Sequence, residues 1–293
     1  PQQYMTVDAY HAATAAAEPQ QRAEIIRKVT EASRAAGFSA TGYLEVVTSA
    51  NAIANSAGLF AYHRSTDCAF TTTVRTSDGA GSGWAGAASR DIGAIDGAAL
   101  ATTAIDKARR SLNAAAIEPG RYTVVLEPTA VGNLVQLMAF ATNARQADEG
   151  RSFFSKPGGG TKIGLKVVDE RVNLRSDPQD PVAPGVPFDA DGLPTRQVDW
   201  IRNGVVTELA YDRFWASKKN VAPVVVPGCL QMAGGTQSVQ DMIASTERGI
   251  LVTRFWYIRP VDPRTILYTG LTRDGTFLIE RGRVTKAIKN FRF

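Results

Sequence analysis

His11 and His63 are the two histidines of this 293-residue chain. They are too few and too far apart in sequence to suggest an imidazole-based zinc site or acid–base pair, which draws on several such side chains at close quarters. His63 lies beside Arg64 in a strand-like stretch with no partner evident, which favours a structural role. A serine or cysteine nucleophile would also need a base. Cys229, in Pro227-Gly228-Cys229-Leu230, sits in a loop-like segment and could be reactive, but an inert, buried thiol is the favoured reading. The adjacent carboxylates Asp148/Glu149 and Asp169/Glu170 diverge in any regular structure, because neighbouring side chains point apart. Pro157-Gly158-Gly159-Gly160-Thr161-Lys162 fails both phosphate-binding glycine patterns and follows no convincing strand, so it predicts a flexible loop. Asp189-Ala190-Asp191-Gly192 hints at a calcium loop, yet the twelfth position is Trp200 where an EF-hand needs glutamate. A turn before a strand is the better reading.

The elements that would position these residues divide the chain in two. Residues 19–36 predict an amphipathic helix, with Ile25, Ile26, Val29, Ala32 and Ala36 at helical spacing and Gly37 as the stop. Residues 41–48, 58–62 and 69–76 read as short extended stretches, and Asp78-Gly79 marks a turn. Residues 79–86 hold four glycines around Trp84 and predict a glycine-rich loop. Residues 96–112 form a second helix, ending in Lys107, Arg109 and Arg110, which suit the negative end of its dipole. Glu118-Pro119-Gly120 is the expected boundary between an N-terminal α+β domain (residues 1–117) and a β-rich domain with a few helices (118–293). Tyr122 to Leu126 reads as a strand, and Pro128 opens a helix to about Arg145. Residues 150–160 are loop-like. Asn203-Gly204 between β-branched runs predicts a type I′ hairpin. Ser238 and Asp241 predict a capped helix through Glu247, followed by strands at 250–258, 265–271 and 276–279. The fold class is α+β.

Hydrophobic residues make up 44% and charged residues 21%, ordinary values that leave ample material for a core. No apolar run approaches the roughly 20 residues of a membrane span. The start lacks the layout of a signal peptide, and two isolated cysteines suit a reducing compartment, so a cytoplasmic location is expected. The first residue is not methionine, which predicts a natural start further upstream. The net charge of +5 would favour nucleic acid only if basic residues clustered. Lys107-Ala108-Arg109-Arg110, Lys218-Lys219 and the tail from Arg281 to Arg292 fit solvated helix ends and strand faces better, so nucleic acid is disfavoured.

Several segments, in consistent order, resemble the TldD/PmbA family of zinc peptidases and so-called modulators of DNA gyrase. They are Pro119-Gly120-Arg121-Tyr122-Thr123-Val124-Val125-Leu126-Glu127-Pro128, Pro187-Phe188-Asp189-Ala190-Asp191-Gly192-Leu193-Pro194-Thr195, Ser245-Thr246-Glu247-Arg248-Gly249-Ile250-Leu251-Val252-Thr253 and Gly270-Leu271-Thr272-Arg273-Asp274-Gly275-Thr276-Phe277-Leu278-Ile279-Glu280-Arg281-Gly282. The closing Lys286-Ala287-Ile288-Lys289-Asn290-Phe291-Arg292-Phe293 fits as well. Members of that family are usually longer at both ends, which predicts a shortened chain here. The resemblance implies that metal-bearing members carry HExxxH on the helix after the first of these strands. The corresponding positions here are Gln136, Leu137 and Ala141, a degenerate metal motif without a good ligand or a base. That pattern is similar to the TldE/PmbA side of the family.

The resemblance therefore implies a non-catalytic subunit with no cofactor of its own. Its partner would be a TldD-like, HExxxH-bearing subunit that carries the zinc, and the pair would act on unfolded peptides. An extended peptide could pair with a strand edge. Gly83, Trp84, Gly159 and Cys229 are the candidate groove contacts, the glycines because backbone can approach a ligand closely there. The alternatives are a stand-alone binding or regulatory protein of the gyrase-modulator type, and a repurposed biosynthetic enzyme using Cys229 or a carboxylate.

Overall fold

A computed structural model describes residues 2–293. Helices α1 (Ala12–Ala15) and α2 (Pro19–Ala35) precede strands β1 (Phe38–Ala54), β2 (Phe60–Thr76) and β3 (Ser82–Ser89), and α3 (Gly97–Arg110) follows. Pro19 opens α2, and Ile25, Val29 and Ser33 recur every fourth residue to form its buried stripe. Gly37 ends the helix at φ +77°. The strands form an antiparallel sheet in the order β1-β2-β3, and Ile25, Val29, Phe70, Ile92 and Ala101 share one core between sheet and helices.

Two sequence expectations change here. The short extended stretches merge into two unbroken strands of 17 residues each, paired from Phe38↔Thr76 to Ala54↔Phe60. The Asn55 side chain closes their turn by accepting from the amides of Ala57 and Leu59. The glycine-rich loop at 79–86 is a turn followed by β3, so Gly83 and Trp84 lie in a strand. A Cβ on Gly83 would sit 2.1 Å from the Ala104 carbonyl oxygen and 2.4 Å from the Ala108 amide. The glycine is there because α3 crosses the sheet at contact distance, presenting the fully buried Ala101, Ala104 and Ala108.

The rest of the chain supplies β4 (Thr123–Leu126), α4 (Pro128–Phe140), α5 (Ala144–Asp148), β5 (Leu174–Ser176), β6 (Val198–Arg202), β7 (Val205–Val206), α6 (Arg213–Lys219), β8 (Leu230–Met232) and α7 (Val239–Ala244). Five strands close it: β9 (Arg248–Val252), β10 (Phe255–Asp262), β11 (Leu267–Thr272), β12 (Thr276–Glu280) and β13 (Arg283–Ala287). One sheet runs β13-β12-β9-β4, a second β7-β6-β5-β8, and β10 pairs with β11 alone. The first sheet is buried on both faces. Val125, Leu251, Phe277 and Ile279 meet α7, while Ile250, Val252 and Leu278 meet Ala130 of α4. Burial on both faces accounts for the uninterrupted apolar run Ile250-Leu251-Val252. The second sheet packs Leu174, Val198, Trp200, Ile201 and Val206 against α5 and against Val135, Met138 and Ala141.

Three boundaries differ from the sequence reading. The helix expected to reach Arg145 ends at Phe140, because Thr142 and Ala144 exchange backbone hydrogen bonds with Ala210 and Asn143 caps a new helix through Gln146. The strand expected over 250–258 divides into β9 and β10 at Thr253, whose amide turns to the Gly275 carbonyl. The capped helix stops at Ala244, since the Thr246 and Glu247 carbonyls accept from Gly282 and Arg281 instead. The Asn203-Gly204 hairpin and the Ser238/Asp241 capping box form as expected. Among the described residues no helix is long and apolar enough to cross a membrane.

Candidate functional site

Helix α4 starts at Pro128, whose missing N–H costs nothing at the first helical position. Its N-cap residue, Glu127, forms an ion pair with Lys107 of α3 at 2.6 Å, with both side chains mostly buried. Gln136 is exposed on α4 and lines a cavity of about 540 Å³ together with Gly132, Val135, Phe140, Asn143 and the segment 226–228. Leu137 is half-buried, and its carbonyl lies 3.5 Å from the Tyr268 hydroxyl. Ala141 is the residue that caps α4, and it packs into the core beneath the second sheet. Positions five apart on a helix are turned by roughly 140°, at 3.6 residues per turn. Gln136 and Ala141 therefore do not share a face, and only Gln136 opens on the cavity.

Residues 226–228 also line a second cavity, of about 520 Å³. One wall is the end of β3, where Arg90 donates to the carbonyls of Thr66 and Pro184 (3.2 and 2.9 Å) and pairs with Asp67. A second wall is residues 176–189, with prolines at 178, 181, 184 and 187. The third holds Trp200 and Cys229. Trp200 donates from Nε1 to the Ser176 hydroxyl at 2.9 Å, so its polar edge is satisfied inside the wall. Gly185 leaves room for the Cys229 sulfur, which a Cβ there would approach to 2.9 Å. Burial, reinforced by Asp177 and Asp180, pushes the Cys229 thiol up from its ordinary value despite nearby backbone donors. It is thus a thiol, not a thiolate, at neutral pH.

A third cavity, about 370 Å³, lies between Asn51, Ile53 and His63 of the N-terminal sheet and residues 186–190. It shares Val186 and Asp189 with the second cavity. His63 is only 7% exposed, and its Nε2 has no hydrogen-bond partner. Burial, and then the charge of Arg90, lower its pKa. Asp189 accepts from the Asp191 and Leu193 amides and Gly192 takes φ +71°, so this motif is a turn.

The structure brings Gln136 and Cys229 to two cavities that share residues 226–228, and sets the other candidates apart. Gly83 is filled against α3. Trp84 stacks under Arg254 at 4.5 Å. Gly159 stands in an exposed turn with φ +109° and open space around it. Sequence reasoning missed the Trp200 cavity; it gave His63 a structural role with no partner evident, and the structure buries that side chain with Nε2 unpaired. The one sequence signal for the cavity was the three-residue proline spacing from 178 to 187, which stiffens a wall toward polyproline geometry.

Residues 119–293 match the sequence profile of the PmbA/TldA metallopeptidase C-terminal domain, and residues 13–112 match its central domain. The chain belongs to the PmbA/TldD family. Three solved structures share the fold. A candidate modulator of a DNA gyrase from Thermotoga maritima is 17% identical, with a TM-score of 0.87 over 100% of this chain and 70% of its own. TldE from Thermococcus kodakarensis is 19% identical, with a TM-score of 0.88 over 100% and 69%. A candidate modulator of DNA gyrase from Bacteroides thetaiotaomicron is 22% identical, with a TM-score of 0.82 over 99% and 67%. No curated protein matches in sequence.

The family description implies a metal, and the residues of α4 do not fit one. An amide is a weak zinc donor, and the side chains of Leu137 and Ala141 have no lone pair. Among the described residues no three His, Cys, Asp or Glu side chains converge closely enough to hold a metal ion.

Proposed function

We propose that this chain is the TldE/PmbA-like, non-catalytic subunit of a zinc metallopeptidase that acts on unfolded peptides. The observation that carries the reading is α4 itself. The helix is in place and borders a groove, yet it presents Gln136 where a metal ligand would be needed and packs the half-buried Ala141 against the core. The subunit then shapes the groove, and an HExxxH-bearing relative supplies the zinc. A cysteine enzyme is disfavoured by the raised thiol pKa of Cys229 and by the placement of His63 in a different cavity.

Co-expression with an HExxxH-bearing family member tests this. The two should co-elute and cleave reduced, carboxymethylated casein, whereas this chain alone should cleave none and hold well under one zinc per chain. One tightly held zinc per lone chain, or cleavage by the lone chain, overturns the reading.

A further inference from the structure

We propose that the cavity beside Trp200 is a subsite for one large apolar side chain of an extended peptide, whose main chain pairs with residues 225–228. The inference rests on the peptide-groove reading above and adds a specificity to it.

The backbone of residues 225–228 carries the first half of the argument. Before it, Val224 and Tyr211 exchange hydrogen bonds in both directions; after it, Leu230 begins β8 and pairs with Ser176. Between these paired stretches, no amide or carbonyl of residues 225–228 hydrogen-bonds to the protein, among the described residues. Pro227 has no N–H and pushes Val226 toward extended backbone. Proline of this kind is tolerated on a strand edge when it lies off the pairing side. That leaves the amides and carbonyls of Val226 and Gly228, two residues apart, to face a peptide strand.

The cavities carry the second half. Both the Gln136 and the Trp200 cavities include Val226, Pro227 and Gly228 in their walls. Successive side chains of an extended peptide point to opposite faces, and this segment borders two separate cavities that could receive them. The Trp200 cavity falls within the roughly 300–1,000 Å³ of ordinary ligand sites. Its lining is mainly apolar: Val182, Ala183, Val186, Trp200 and Pro227. Its arginines are committed, Arg90 to Asp67 and two carbonyls, Arg196 to Glu208 at 3.2 Å. A phosphate or carboxylate ligand would find no free cation there. Apolar surface also stands uncovered around the mouths, with Val182 82%, Phe140 71% and Val226 62% exposed, a pattern that marks binding grooves.

Titration calorimetry on the purified chain decides the matter, with acetyl-Gly-Gly-Phe-Gly-Gly-amide and its Phe→Ser counterpart as probes. The Phe peptide should bind at least tenfold more tightly. Ala183→Trp and Ala88→Trp, both exposed on the cavity wall, should each erase that advantage with an unchanged melting temperature. Gly228→Pro removes a main-chain donor and should weaken both peptides alike. Equal affinity for the two peptides, no binding of the Phe peptide at millimolar concentration, or an advantage that survives both tryptophan variants overturns the subsite. Neither zinc nor a partner enters the measurement, so failure of the co-expression test leaves this result standing. Casein cleavage by a working pair with no preference for Phe sites would sink the subsite alone.

Discussion

The Ser82 hydroxyl donates to the Asp274 carboxylate at 2.6 Å, joining β3 to the turn between β11 and β12 across 192 residues of sequence. The other carboxylate oxygen faces Arg254 at 3.2 Å, and Asp274 is only 4% exposed. Arg254 is stacked on Trp84 at 4.5 Å and Trp256 at 5.1 Å. Burial lowers its pKa, and Asp274 works against that shift. The N-terminal sheet and the C-terminal region are thus pinned at a desolvated ion pair flanked by the Ser82 hydroxyl, two indoles and the Arg273 guanidinium, which lies 3.6 Å from the same carboxylate.

Removing one member of such a pair leaves the other charge buried and uncompensated, which costs about 3–5 kcal/mol. Asp274→Asn should cause a loss of that order in urea denaturation. Asparagine tolerates the left-handed backbone at this position, φ +54°, so the loss reports charge and not strain. A change below about 0.5 kcal/mol, the range of ordinary surface substitutions, would show the pair to be incidental.

Gly83 and Gly159 separate two meanings of glycine. Gly83→Ala drives a methyl group into the backbone of α3 and should cost about 1–3 kcal/mol or more, as overpacking does. Gly159→Ala meets open space and only the penalty of its positive φ, about 1 kcal/mol by the left-handed cost. Thermal melts of the two variants compare them directly. A smaller loss at Gly83 than at Gly159 would contradict the close crossing of α3.

Such pairs explain what could be read in advance. The stripe Ile25/Val29, the Asn203-Gly204 turn and the Ser238/Asp241 box are local: each is decided by residues within two turns or one hairpin, and each formed as expected. Glycine spacing around Trp84 suggested a loop, because nothing nearby in sequence announces that Ala104 and Ala108 will cross it. The break after α4 depends on Ala210, far along the chain. The Trp200 cavity draws its walls from residue 67 through to residue 229, so beyond the proline spacing of one wall no local pattern encoded it. The degenerate motif at Gln136, Leu137 and Ala141 was legible only through family resemblance.

His63 should make the fold sensitive to mild acid. Its folded pKa is depressed, first by burial and then by Arg90, so below about pH 6.5, the ordinary histidine value, the unfolded chain takes up a proton that the folded chain refuses. Stability rises with pH wherever the unfolded state binds more protons. The contribution of His63 is therefore complete above that pH and is lost as pH falls toward the folded value. Urea midpoints at pH 7.5 and 5.5 should differ more for the natural protein than for His63→Gln. An equal pH dependence in the two proteins would remove His63 as its source.

Cys229 should react slowly although it lies on a cavity wall. The thiolate is the reactive form, and burial together with Asp177 and Asp180 raises the thiol pKa. Each unit of increase cuts the thiolate fraction at neutral pH about tenfold. No histidine lies in the same cavity to act as a base, because His63 lines the neighbouring one. Peptide mapping after iodoacetamide treatment at pH 7.5 should show Cys229 alkylated at least tenfold more slowly in the folded chain than in guanidinium. Alkylation at the denatured rate would revive the thiol as a nucleophile and, with it, the biosynthetic-enzyme reading. Slow alkylation leaves Cys229 as part of the wall that an apolar side chain would touch.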